Sequence, residues 1–316
     1  MTQHSEDVNV FSGKAGHPLA PGTHTIAVRH GSSLVAQRYH VAGTRGPVCV
    51  AHSGGPGIGW DYLRMPLLER DLTMVYIEPV GTGESGRLPD PRAYTIATYT
   101  NFLDAVVEHL AQPKISVLGH SHGGFVAQQY ALEHAERVAS LVLYDTSPVT
   151  GEDFWHTAVA NMERFARRHA AAHPEVATYV ETLTTQLGQL DDAAATACLR
   201  AIMPAYLFDY WGREDEFGPA RRSLRMYAEP SLGEGPAFDV RERLSTITAP
   251  TLVLAGADDF ICGPQWGRMI HERISGARFA VLEETGHLAH VERPEEFAAA
   301  VTGFVADPAV LRGHTL

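Results

Sequence analysis

Residues 114–124, Lys114-Ile115-Ser116-Val117-Leu118-Gly119-His120-Ser121-His122-Gly123-Gly124, decide the fold. A short β-branched run leads into a G-x-S-x-G turn, and apolar residues at helical spacing follow over 125–132. A serine hydroxyl is a weak nucleophile at its own pKa. It needs a turn that exposes it, a base beside it and donors for the oxyanion it creates. Gly119 and Gly123, two residues either side of Ser121, remove the side chains that would keep a strand and a helix from meeting at so sharp an angle. Outside a strand-turn-helix context the same five residues are an ordinary Gly-Ser turn; within it, Ser121 is the candidate nucleophile.

On both sides of this segment strands and helices alternate. Residues 25–29 and 34–41, separated by His30-Gly31-Ser32-Ser33, read as a hairpin with a half-polar face. Residues 47–51 and 73–77 are short, nearly all-apolar runs, suited to parallel strands covered on both faces, and a helical stretch is expected between them. A helix over 96–110, strands over 115–118 and 138–144, and the helix after Ser121 continue the rhythm of a doubly wound, mostly parallel α/β sheet. From 147 to 245 the strands stop and helical periodicity rich in charges and aromatics takes over, which reads as an inserted helical cap. The rhythm resumes with a strand over 251–255, a helix over 265–274, a strand over 278–282 and a helix over 294–305. The expected α/β core is therefore 23–146 and 246–316, preceded by a Gly-, Pro- and His-rich leader at 1–22 read as flexible.

Composition narrows the partners. With 316 residues, 45% hydrophobic and 20% charged, the chain has ample material for one large core. A net charge of -12 disfavours nucleic acid and anionic membrane, which require basic stripes to neutralise phosphate. Cys49, Cys198 and Cys262 are odd in number and lack metal-ligand spacing, so they read as small buried hydrophobes, with no metal or cofactor implied. The polar stretch Met1 to Asp7 has no signal-peptide character, and no membrane-length apolar run occurs. A soluble, cytoplasmic protein acting on a small molecule or short peptide is expected, with its oligomeric state left open.

A serine nucleophile requires a histidine base and a carboxylate to fix its tautomer, both at the carboxyl ends of strands. The strand over 251–255 runs into Gly256-Ala257-Asp258-Asp259-Phe260-Ile261, and the strand over 278–282 into Glu283-Glu284-Thr285-Gly286-His287. Ser121, Asp259 and His287 are the triad candidates; Asp258 and His290 are their local competitors. Two oxyanion donors are required, the N–H after the nucleophile, from His122, and one from Gly54 or Gly55 in the loop Ala51-His52-Ser53-Gly54-Gly55-Pro56-Gly57. That loop has neither a G-K-[ST] nor a G-x-G-x-x-G pattern, so phosphate binding is not indicated.

Taken together, residues 52–57, Glu78-Pro79-Val80-Gly81-Thr82-Gly83-Glu84-Ser85, the elbow at 119–124 and the Asp259 and His287 loops resemble the α/β-hydrolase superfamily, specifically its proline-iminopeptidase-like branch. The resemblance spans roughly residues 25–306 and implies a cofactor-independent serine hydrolase with Ser121, Asp259 and His287 as triad. It departs from the branch at Ser53, which stands between the loop histidine and the glycines, and at His122, where the branch has tryptophan. The hydrolase is therefore implied and the substrate is left open among an amine-bearing amide, an ester, a lactone, a thioester and acyl transfer. A non-catalytic binding protein on the same scaffold is the rival of another class. Candidate substrate contacts are Glu78 and Glu84, carboxylates able to hold an amine or to organise their own turn, and the cap aromatics Trp155, Tyr206, Tyr210 and Trp211.

Overall fold

A computed structural model describes residues 17–185, 190–228 and 237–314; the leader at 1–16 lies outside them. Eight strands form one sheet: β1 (Gly22–His30), β2 (Ser33–Ala42), β3 (Val48–His52), β4 (Thr73–Glu78), β5 (Ile115–His120), β6 (Val138–Tyr144), β7 (Thr251–Gly256) and β8 (Arg278–Leu282). Their spatial order is β1-β2-β4-β3-β5-β6-β7-β8. β1 and β2 pair antiparallel, β2 meets β4 antiparallel, and every pairing from β4 to β8 is parallel.

Helices cover both faces. α1 (Ile96–Leu110) and α2 (His122–Glu133) lie after β4 and β5. α3 (Glu152–His169), α4 (Tyr179–Thr184), α5 (Asp192–Ile202) and α6 (Glu214–Ser223) fall between β6 and β7, a segment with no named strand among its described residues. α7 (Pro264–His271), α8 (Ala289–Glu292), α9 (Pro294–Val305) and α10 (Pro308–His314) complete the chain. The central strands are buried along their whole length because side chains of opposite parity feed two cores. Val50, Val75, Val117, Leu141 and Val253 pack with Phe102, Val106 and Tyr130 on one face. Ala51, Tyr76, Leu118, Val142 and Leu254 pack with Phe297, Val301 and Phe304 on the other.

Two sequence expectations are corrected. No α-helix separates β3 from β4; that stretch holds only 3-10 turns at Trp60–Leu63 and Leu68–Arg70, because the glycine-rich loop consumes its first half and Pro66 interrupts the rest. The end of the leader is held down rather than loose: Tyr39 donates to the Pro18 carbonyl at 3.0 Å and His24 Nε2 to that of Ala20 at 2.7 Å. β1 accordingly begins at Gly22. Among the described residues, no helix is long and apolar enough to cross a membrane.

Candidate active site

The carboxyl ends of β3, β5, β6, β7 and β8 converge where strand order reverses between β3 and β5, the place at which open α/β sheets leave a crevice. Ser121 stands there between β5 and α2, part-exposed, at φ 53 and ψ -120. Such a conformation costs a non-glycine residue about 1–3 kcal/mol, so the surroundings must enforce it. They do so by close packing. A Cβ at Gly123 would stand 2.6 Å from the Ser53 carbonyl oxygen and closer still to that of His52, and one at Gly124 would stand 2.5 Å from the Thr146 Cβ. Thr146 Oγ1 also donates to the Ser121 carbonyl at 2.7 Å.

The histidine and acid meet from the next two loops. Asp259 Oδ2 accepts from His287 Nδ1 at 2.7 Å, both side chains being buried, so Nδ1 carries the proton and Nε2 is left as a base. Asp259 Oδ1 is fixed by the N–H groups of Ile261 and Cys262 at 2.9 and 3.0 Å. Its neighbour Asp258 has no such bond to His287 among the described residues and borders, with Asp259 itself, a cleft lined by Arg164, Arg168 and His169. His290 is tied elsewhere, to the Tyr144 hydroxyl at 2.8 Å and the Tyr62 carbonyl at 2.9 Å, and burial depresses it to about 4.

A directed chain of hydrogen bonds joins the glycine-rich loop to the histidine loop. His120, buried and held far below the usual histidine range mainly by that burial, is neutral, and its Nε2 donates to the His287 carbonyl at 2.9 Å. Its Nδ1 must then accept, so the Tyr62 hydroxyl donates to it at 2.6 Å and in turn accepts the Gly54 N–H at 2.7 Å. This engages the Gly54 N–H and leaves Gly55, at φ 130, as the loop's other candidate donor. The His122 ring, depressed to about 3 by burial and then by His52, packs edge-on against Tyr99 and Phe125, leaving only its backbone to face an oxyanion.

The segment after α5 is locked onto the His287 loop. His287 N donates to the Tyr206 carbonyl at 2.7 Å, and Glu292 accepts the N–H groups of Gly286 and Phe208, both at 2.7 Å. Tyr206 also brings its ring centroid within 5.4 Å of His287. The other sequence candidates lie elsewhere. Glu78 accepts from Ser85 N at 2.8 Å and from His40 at 2.9 Å, so it holds its own turn. Glu84 is exposed and pairs with Arg38. Trp155 is 47% exposed on the first turn of α3, Tyr210 is packed against Arg221, and Trp211 stacks on His173 at 3.7 Å. Helical periodicity marked these aromatics as helix-borne without saying which face meets the core.

Among the neighbours of the candidate triad that sequence reading missed is a cysteine. The buried Cys262 thiol stands against the Ser121 hydroxyl and within 4.8 Å of Asp259 and His287. Burial and then the Asp259 charge push this thiol far up and keep it protonated. Its position three residues past Asp259, on a loop that turns back on itself, was the available signal.

Residues 47–294 match the family model described as alpha/beta hydrolase fold. Proline iminopeptidase of Lactobacillus helveticus is 28% identical over 280 residues, 83% of this chain and 91% of that one. A hydrolase from Pseudomonas aeruginosa, 26% identical, superposes with a TM-score of 0.67 over 90% of this chain and 98% of its own. The enol-lactonase from Burkholderia xenovorans, 21% identical, shares the fold with a TM-score of 0.66 over 86% and 97%.

Proposed function

The chain belongs to the α/β-hydrolase family, and on that premise we propose that it is a serine hydrolase cleaving an ester or amide bond of a small acyl compound through an acyl-enzyme. The observation that carries the reading is the strained Ser121 backbone at the carboxyl end of the sheet, together with a His287 already oriented by Asp259 at 2.7 Å. Ser121 Oγ attacks the acyl carbon and His287 Nε2 takes its proton. The N–H groups of His122 and Gly55 receive the oxyanion at the amino end of α2, where the helix dipole adds to them. His287 returns the proton to the leaving group, and water, deprotonated by the same nitrogen, releases the acid. No cofactor enters any of these steps.

Similarity to the Lactobacillus enzyme supports an amide with a free N-terminal proline or similar amine as substrate, with the helical segment 147–245 as the cap that selects it. A second reading, an ester or lactone, is favoured by one observation: Glu78 and Glu84, the carboxylates offered for a substrate amine, are engaged by Ser85, His40 and Arg38. Rates on a proline arylamide and on short p-nitrophenyl esters separate the two. Preference for the arylamide that collapses on acylation of its amine supports the peptidase; ester turnover with negligible arylamide cleavage rejects it. Absence of turnover on both, with no covalent adduct on Ser121, would make the protein a binding homologue.

A further inference from the structure

Asp145 directly follows β6, the strand that lies between the one presenting Ser121 and the one leading to Asp259. This residue is fully buried, at φ 45. Its Oδ1 accepts the Gly256 N–H at 2.7 Å, and its buried Oδ2 has no partner among the described residues. One carboxyl oxygen lies within 4.8 Å of a ring nitrogen of His287 and of His120. An unpaired buried polar atom costs about 1–3 kcal/mol, and asparagine or serine would serve Gly256 as well without a second carboxyl oxygen. The bond to Gly256 alone therefore does not account for an aspartate here.

Resting on the triad reading above, we propose that Asp145 is a second carboxyl for His287, a positioning residue able to orient and neutralise the imidazolium when Asp259 does not. Burial and then the Asp259 charge raise the Asp145 carboxyl far above the ordinary carboxylate range. Removing the Asp259 charge lifts one of those two causes. The imidazolium that forms at His287 during turnover then faces Asp145 alone, favouring release of the Asp145 proton to solvent and closure of the gap by rotation of the imidazole. The groups facing Asp145 are Asp259, Glu292, His120, His287, Cys262 and Tyr144.

The test is a double-mutant cycle of Asp259→Asn and Asp145→Asn, read as kcat/KM on a p-nitrophenyl ester at several pH values. Loss of a sole triad acid costs about 10⁴-fold in a comparable serine enzyme. The proposal expects Asp259→Asn to lose only about 10- to 100-fold. It expects Asp145→Asn to cost at least tenfold more in the Asp259→Asn background than in the wild type. The ratio of Asp259→Asn to wild-type activity should rise with pH as Asp145 ionises, a readout that needs no change at position 145. An equal factor for Asp145→Asn in both backgrounds, or a ratio flat with pH, means a structural role only and overturns the proposal. Labelling of wild-type Ser121 by a fluorophosphonate separates the two levels. Its absence removes the triad reading itself, whereas labelling together with equal factors removes only the role of Asp145.

Discussion

Replacing Tyr62 by phenylalanine should damage stability and catalysis together, because one hydroxyl serves two elements of the site. The ring remains, so packing is kept, but the Gly54 N–H loses its acceptor at 2.7 Å and His120 Nδ1 its donor at 2.6 Å. Each buried group left unpaired costs about 1–3 kcal/mol, so with two such groups a loss of about 2–6 kcal/mol in unfolding free energy is expected. The His120 tautomer is then no longer imposed from Tyr62, which weakens its bond to the His287 carbonyl. The glycine-rich loop also loses a tether next to Gly55, the proposed second oxyanion donor, and complete loss of such a donor costs about 10²–10³ in kcat. A partial displacement should lower kcat about 10- to 100-fold with KM changed less than threefold. Urea unfolding and steady-state ester hydrolysis measure the two effects. A Tyr62→Phe protein within 0.5 kcal/mol of wild type and with unchanged kcat would refute the relay.

Gly123→Ala places a methyl group 2.6 Å from the Ser53 carbonyl oxygen, on rigid backbone, and should destabilise by more than about 3 kcal/mol, seen as loss of soluble yield or a large drop in Tm. Glu292, raised from 4.5 to about 7 mainly by burial, holds a proton in the native state that the unfolded chain has already released. Its contribution is therefore full below 4.5 and lost as pH rises to 7, by up to about 3 kcal/mol at about 1.36 kcal/mol per pH unit. Measured as unfolding free energy of wild type minus Glu292→Gln, that difference should fall over this interval and level off above it; a flat difference contradicts the assignment. Glu84→Ala should leave KM for an amine-bearing arylamide within twofold, since its carboxylate is exposed and paired with Arg38. A KM raised more than fivefold for the arylamide alone would restore it to the substrate site.

The parts of the structure legible in sequence are those governed by local periodicity and local chain geometry. The run Pro47-Val48-Cys49-Val50-Ala51 reads as a strand covered on both faces because it is nearly all apolar, and the observed strand, Val48–His52, is buried throughout. The elbow is legible because only glycine fits where backbone meets backbone at 119 and 123. The stretch between β3 and β4 misled, since its apolar residues serve 3-10 turns too short to show a period. The Tyr62–His120 contact joins residues 58 apart and leaves no local trace. Asp145 was invisible for another reason: an aspartate just after a strand is an ordinary turn former until the partners of its two oxygens are known. Among the cap aromatics only Tyr206 reaches His287, a choice made by tertiary packing.

The central claim is that Ser121 is a nucleophile served by His287. Mass spectrometry of the intact protein and its peptides after fluorophosphonate treatment tests it most directly. One adduct on the peptide carrying Ser121, absent in Ser121→Ala and slowed at least 10³-fold in His287→Ala, is the predicted result. An unmodified Ser121 in folded wild-type protein, or labelling that His287→Ala leaves undiminished, would contradict it.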